Sequence, residues 1–259
     1  MRLRRSSLAL HGCLALCVLD CRARRLLTPG LGPPHPPRPN RREVLGKMNE
    51  LATTWIKETI LSKTNSQSIA DNAGGQIFTF GSFRLGVNAR SGDIDTLVVA
   101  PRHVTREDFF DTFYKKLEAH PETENLHAAS DAFVPVIKLD FMKIEMDLLF
   151  ARMALEKVPA DIDLKQMELL KNLDEKCISS LNGCRVTDSI LSLVPNVDEF
   201  RILLRTIKLW AKKRAIYSNV LGYCGGVQLA MLSARVCQFY PKATAASLIQ
   251  KFFQTWKMW

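Results

Sequence analysis

No two cysteines in this 259-residue sequence stand in a C-x-x-C arrangement; the seven lie at 13, 17, 21, 177, 184, 224 and 237. An odd number spread so widely makes no disulfide framework, and reduced, intracellular thiols are the simpler reading. The even spacing of Cys13, Cys17 and Cys21 has no histidine-rich motif beside it, so it is taken as coincidence rather than a metal clasp. A long apolar run is missing too. The mostly apolar stretch 7–19 is interrupted by His11 and Gly12, and it falls short of the roughly 20 residues that a membrane-spanning helix needs. No internal repeat is evident. Most of the chain also lacks a charge excess. The formal net charge is +10, yet residues 1–43 carry nine arginines against Asp20 and Glu43, while the other 216 residues hold 27 basic groups against 24 acidic ones. Global charge is therefore weak evidence for a polyanionic partner.

What is present is an ordinary globular composition, 47% hydrophobic and 24% charged, on a chain long enough to bury a full core. Residues 1–43 read as an appendage. Their order of basic, apolar and basic residues resembles a targeting sequence, and the six prolines and two glycines from Pro29 to Pro39 favour an extended linker. The segment is read as a disordered extension, with organelle targeting as the alternative. From Val44 the character changes. Leu45, Met48, Leu51, Ala52, Trp55 and Ile56 recur at three- and four-residue steps, which predicts an amphipathic helix. Strands are expected at 77–80, 94–100, 132–139 and 144–150, with Pro135 making the third an edge strand or a bulged one. A helix is expected over 105–117, with Thr105 as its N-cap. Beyond Ala151 the signals are almost wholly helical.

The chemistry concentrates in Phe80-Gly81-Ser82, followed about ten residues later by Asp93-Ile94-Asp95. On a strand, residues i and i+2 project to one face roughly 7 Å apart, so Asp93 and Asp95 point together while Ile94 turns to the core. A second strand carries Asp147 amid apolar neighbours; if the two strands are adjacent, three carboxylates cluster. Unpaired carboxylates so close repel one another, and hard divalent cations such as Mg²⁺ relieve that repulsion through oxygen ligands. Two such ions would activate a 3′-hydroxyl and hold a triphosphate. Gly81 lets the backbone approach phosphates, and Ser82 offers its hydroxyl and N–H. A lone D-x-D or Gly-Ser is a weak signal. The ordered set of strand, Gly-Ser, Asp-x-Asp on a strand and a later Asp on a strand is specific for the DNA polymerase β-like nucleotidyltransferase class.

Residues from about 44 to 253 also closely resemble the eukaryotic poly(A) polymerases, through FTFGSFRLGV, SGDIDTLVVAPRHV, AFVPVIKLDF, IEMDLLFA, LLKNLDEKCISSLNGCRVTD, LRTIKLWAKKRAIYSN and CGGVQLAM. The resemblance implies an α/β (α+β) nucleotidyltransferase domain with a mixed sheet at 44–151 and a mostly helical central domain at 152–259. It implies Asp93, Asp95 and Asp147 as ligands of two Mg²⁺ or Mn²⁺ ions. Phe80, Gly81, Ser82 and Ile94 would help hold ATP, as would Asn182, Lys208, Tyr217, Asn219, Gly226 and Val227. Phe133, Val134 and Lys138 would lie near the RNA 3′ end. The expected activity is addition of AMP from ATP to RNA, by a monomer in the nucleus beside pre-mRNA 3′-processing factors, with no membrane. Around Lys208, a helix from Asp198 is expected to bury Phe200, Leu203, Leu204, Ile207 and Trp210, leaving Arg201, Arg205, Lys208 and Lys212 as a cationic stripe.

The chain departs from the family pattern in four ways. Residues 1–43 replace its usual N-terminal segment. The chain ends at Trp259, before the family's RNA-binding domain, and so also before its basic nuclear-localisation tail. Ala89 and Leu229 stand where a threonine and a tryptophan are usual. An inactive, truncated isoform that binds a nucleotide or a partner is therefore the alternative expectation.

Overall fold

The computed structural model describes residues 40–89 and 92–258, and its contacts divide it into two compact units, meeting between residues 188 and 189. The expectations for residues 1–39, a targeting-like stretch and a proline-rich linker, lie outside the described residues. Among the described residues no helix is long and apolar enough to cross a membrane.

The first unit opens with α1 (Arg41–Thr64). It starts three residues before Val44 because Asn40 caps it, its side chain accepting from the Arg42 N–H at 3.1 Å. The predicted periodicity holds: Val44, Met48, Ala52, Trp55, Ile56 and Ile60 are buried along one face. Trp55 lies among Phe109, Phe113 and Phe150, and its indole N–H donates to the Thr112 hydroxyl at 2.8 Å, so its polar handle is satisfied. After a short α2 (Gln67–Asn72), strand β1 (Gln76–Thr79) leads into the single-turn α3 (Gly81–Arg84) and then β2 (Ile94–Ala100).

The next helix is capped as the sequence predicts. The Asp108 N–H donates to the Thr105 hydroxyl, and the Asp108 carboxylate accepts from the Thr105 N–H at 2.6 Å. From α4 (Arg106–Asp108) the helix passes through a π-helical turn, Phe109–Phe113, into α5 (Tyr114–Glu118). Strands β3 (Thr123–Ala129), β4 (Val136–Phe141) and β5 (Ile144–Arg152) complete a five-stranded sheet of order β1-β2-β5-β4-β3. Only the β2–β5 pair is parallel, so the sheet is mixed.

Two expectations need correction here. The strand placed at 132–139 begins after Pro135 and lies inside the sheet, between β5 and β3; Pro135 costs no ladder bond because it precedes the strand. The edge on this side of the sheet is β3, which the sequence reading missed because that strand buries almost nothing. The stretch following β5 is also less helical than expected. It runs irregularly through a 3₁₀ turn at Glu168–Leu170, and α6 (Glu175–Leu193) begins only afterwards. Met153, Val158 and Leu164 are tucked one by one into the core, with no helical period.

Both sheet faces are covered. Ile94, Val98, Ile137, Leu139, Met146, Leu148 and Phe150 pack with α1 and the helical segment 106–118. Leu97, Val99, Leu149 and Ala151 pack on the other face with Leu181 and Cys184 of α6. Along β2 and β5, positions 95 and 147 continue this second face beyond its apolar part.

The second unit comprises the end of α6, α7 (Val197–Lys213), α8 (Gly226–Phe239) and α9 (Ala245–Lys257). Asn196 caps α7 by accepting from the N–H groups of Asp198 and Glu199 at 3.1 and 3.2 Å. The Glu199 carboxylate in turn accepts the first N–H of α9, that of Ala245. Phe200, Leu203, Leu204 and Ile207 are buried as predicted. Trp210 is not; it is half-buried, packed edge-on against Phe253 with centroids 4.9 Å apart, and Ala211 takes the interior place.

Candidate active site

Parallel pairing of β2 and β5 sets Asp95 directly beside Asp147, and antiparallel pairing of β5 with β4 sets Asp147 beside Lys138. With Asp93, just before β2, the first two offer carboxylate oxygens that all lie within 4.8 Å of one another. Each aspartate is half-buried. Lys138 sits at the open side and donates from Nζ to Asp147 Oδ2 at 2.5 Å. Burial of the amine works against its charge. The hydrogen bond to Asp147 and the charges of Asp147, Asp93 and Glu145 outweigh that and hold the ammonium above its usual range.

The remaining oxygen of Asp147, Oδ1, is buried and has no hydrogen-bond partner. A buried carboxylate oxygen without a donor is costly, and the carboxylate it belongs to lies in a cluster of like charge. An oxygen-seeking divalent cation relieves both conditions, so these residues fit a metal site.

The Gly-Ser loop is held against this cluster from two directions. The Phe80 N–H donates to the Asp95 carbonyl at 3.1 Å, extending the β1–β2 ladder by one rung. Gly81 then turns sharply with φ of +60°, and a Cβ on it would collide with the Asp95 carboxylate. Its N–H donates to the Thr187 hydroxyl of α6 at 3.1 Å, while that hydroxyl donates to the Gly183 carbonyl at 2.7 Å. Phe80 covers Gly183 so closely that any side chain there would meet the ring. Asn182, the neighbouring residue on α6, is exposed. Arg84 adds an ion pair to Asp188 at 3.0 Å. Ahead of the triad, the Arg41 guanidinium donates to the carbonyls of Ala89 and Gly92, at 3.3 and 2.7 Å.

Of the residues expected near RNA, Lys138 joins the cluster, Val134 is half-buried against the second apolar layer, and Phe133 is 84% exposed. The sequence reading missed Thr187 and the Lys138–Asp147 pair. Thr187 lies a full turn beyond Gly183 on a helix, a spacing too common to signal anything by itself. The pair depends on strand register, which no local pattern announces.

In the second unit, four expected residues gather around the start of α8. The Tyr217 hydroxyl lies 3.0 Å from where a Cβ on Gly226 would be. Gln228 accepts from the Gly225 N–H at 3.0 Å and donates to the Asn219 side chain at 3.5 Å. Val227 is 47% exposed beside them. Lys212 places its ammonium 5.3 Å from the Tyr217 ring centre, and Lys208 lies one turn earlier on the same face of α7.

Comparison with known proteins identifies the family. A family model for the poly(A) polymerase nucleotidyltransferase domain matches residues 35–194, and one for the poly(A) polymerase central domain matches 199–259. A poly(A) polymerase of Dictyostelium discoideum is 49% identical over 220 residues, which is 85% of this chain and 27% of that protein. Poly(A) polymerase PAPalpha of Candida albicans is 50% identical over 219 residues, covering 85% and 39%. The chain thus spans well under half the length of these relatives. A solved cytoplasmic RNA terminal U-transferase matches with a TM-score of 0.51 at 15% identity, over 83% of this chain and 64% of that one, a likeness of fold alone.

Proposed function

Because the chain belongs to the poly(A) polymerase family, we propose that it is a metal-dependent adenylyltransferase that transfers AMP from ATP to an RNA 3′ end and releases pyrophosphate. The observation that carries the reading is the carboxylate cluster of Asp93, Asp95 and Asp147 with its buried, unpartnered Asp147 oxygen. Two divalent cations bound there, Mg²⁺ or Mn²⁺, would supply the positive charge that activates the 3′-hydroxyl and steadies the leaving pyrophosphate. The RNA 3′ oxygen bonds to the α-phosphorus of ATP as the bond to pyrophosphate breaks.

The chain's own residues divide the remaining work. Asp93, Asp95 and Asp147 hold the cations. Gly81 commits its N–H to Thr187, so phosphate contact in the loop falls to Ser82, with Phe80 setting a wall. The Ile94 side chain is fully buried on the opposite sheet face with α1, so the part expected of it in holding ATP is left to its backbone. Lys208 brings a cation to the triphosphate oxygens, where a charge-assisted hydrogen bond is strongest. Tyr217, Asn219 and Asn182 give polar contacts to the nucleotide, and Gly226 lets Val227 lie against the adenine. Phe133, Val134 and Lys138 meet the RNA end. A nuclear location and work beside pre-mRNA 3′-processing factors go with this reading.

Primer extension tests it, using the purified chain, a short oligo(A) RNA, Mg²⁺ or Mn²⁺, and each ribonucleotide in turn. Extension with ATP that disappears in Asp93→Ala is expected. A folded chain that extends with no nucleotide, or an Asp93→Ala protein as active as the wild type, overturns the proposal.

A further inference from the structure

The Lys138–Asp147 ion pair occupies an unusual place. Its lysine is 54% exposed at the side chain, yet its partner is only 17% exposed and belongs to the metal-binding cluster. Asp147 therefore divides its two oxygens: Oδ2 accepts from the ammonium, and Oδ1 is buried without a partner. The negative charges of Asp147, Asp93 and Glu145 all act on this amine. On the neighbouring strand, His127 is the residue opposite Lys138.

We propose that Lys138 is a built-in counter-cation: it neutralises Asp147 while the site is without metal, and it gives the carboxylate up when a divalent cation binds. The inference rests on the metal-binding reading of the triad. An ammonium brings one charge and a single good hydrogen bond to Asp147, whereas a divalent cation brings two charges and gathers oxygens from all three aspartates. A cation bound among those oxygens also repels an ammonium held against the same carboxylate. The long, half-exposed lysine stem lets Lys138 swing outward without disturbing β4, which is anchored by the buried Ile137, Leu139 and Phe141. Metal loading thus converts an internally paired lysine into a displayed positive charge beside the site. Cation affinity is set partly by the ion pair that must be broken.

Two measurements test this on the full chain. In the first, the wild-type protein is pulse-labelled with an amine-acetylating reagent, with and without saturating Mn²⁺, and Lys138 is followed by peptide mass spectrometry. Its labelling should rise on the order of tenfold with Mn²⁺, the value of one charge-assisted hydrogen bond discounted for exposure. Lys115, paired with Asp111 on a distant helix, serves as the unchanged reference. In the second, Mn²⁺ affinity is read from the free-ion spin-resonance signal. Lys138→Met should bind Mn²⁺ about tenfold more tightly, and Lys138→Arg should not. Unchanged labelling of Lys138 overturns the exchange even if Lys138→Met fails to fold, and equal Mn²⁺ affinity in Lys138→Met and wild type overturns it independently. A wild-type chain that binds no Mn²⁺ removes the metal reading itself, and this inference with it, a result distinct from either.

Discussion

Replacing Gly81 by alanine perturbs the site by a single methyl group, and its consequences follow from two separate features. The backbone at Gly81 has φ of +60°, a left-handed conformation that costs an L-residue about 1–2 kcal/mol. For a domain of this size that corresponds to a melting temperature lowered by roughly 3–7 °C. The second feature is steric. The added Cβ points at the Asp95 carboxylate, which must rotate or shift away, and a displacement near 1 Å at a reacting centre costs about 10²-fold in rate. Gly222→Ala separates the two effects for stability. Gly222 has φ of +81° with open space around its would-be Cβ, so it carries the dihedral cost alone. Differential scanning calorimetry and AMP incorporation into oligo(A), measured side by side, give the readout. Gly81→Ala should melt below Gly222→Ala, should lose about two decades of activity, and should gain less stability from Mn²⁺ than wild type does. A Gly81→Ala protein with wild-type melting and turnover would refute the argument that close approach of this loop to Asp95 builds the site.

Two further predictions come from groups around the same core. Thr187→Val keeps the side-chain shape but leaves the part-buried Gly81 N–H without its acceptor, at a cost of about 1–3 kcal/mol; activity should fall with it, Thr187→Ser should restore both, and an unaltered melt for the valine variant would contradict the assignment. The second concerns thiols: burial pushes Cys177 up to about 11 and both Cys184 and Cys237 up to about 12. Raised values in the folded state mean that their contribution is intact below the ordinary thiol value and is lost as pH climbs towards 11–12. Stability should therefore be flat in this respect through pH 8 and decline above pH ~9. Alkylation mapped at pH 8 should mark exposed Cys224 and spare the buried three; rapid labelling of Cys184 would sink the account.

The site's acidic core was legible because it is written twice over, as residue types and as strand patterns. Asp93-Ile94-Asp95 announces itself by alternation, and Ile144 to Phe150 reads as a strand around an intrusive aspartate. What joined them was the parallel pairing of β2 with β5, which sequence pattern left as a condition and the sheet supplied. The helices with strong apolar stripes, around Trp55 and around Leu204, were equally readable. Weak burial was the commonest reason for failure. Strand β3 exposes most of its side chains, so it carries no alternation, and Pro135 was then credited with an edge that belongs to β3. Trp210 fell on the expected stripe of α7, but its position near the stripe's margin left it half-covered by Phe253. Thr187 and Lys138 act through partners 106 and 9 residues away, and only folding reveals such partnerships.

The register between β2 and β5 carries a further consequence, for quality control. Sliding β5 by one residue would set Met146 or Leu148 opposite Asp95 and drive Asp147 into the apolar layer now filled by those two side chains. Such a misfold would be unstable as well as inactive, because a carboxylate would be stranded in hydrocarbon. The same event that breaks the site thus exposes the molecule to degradation.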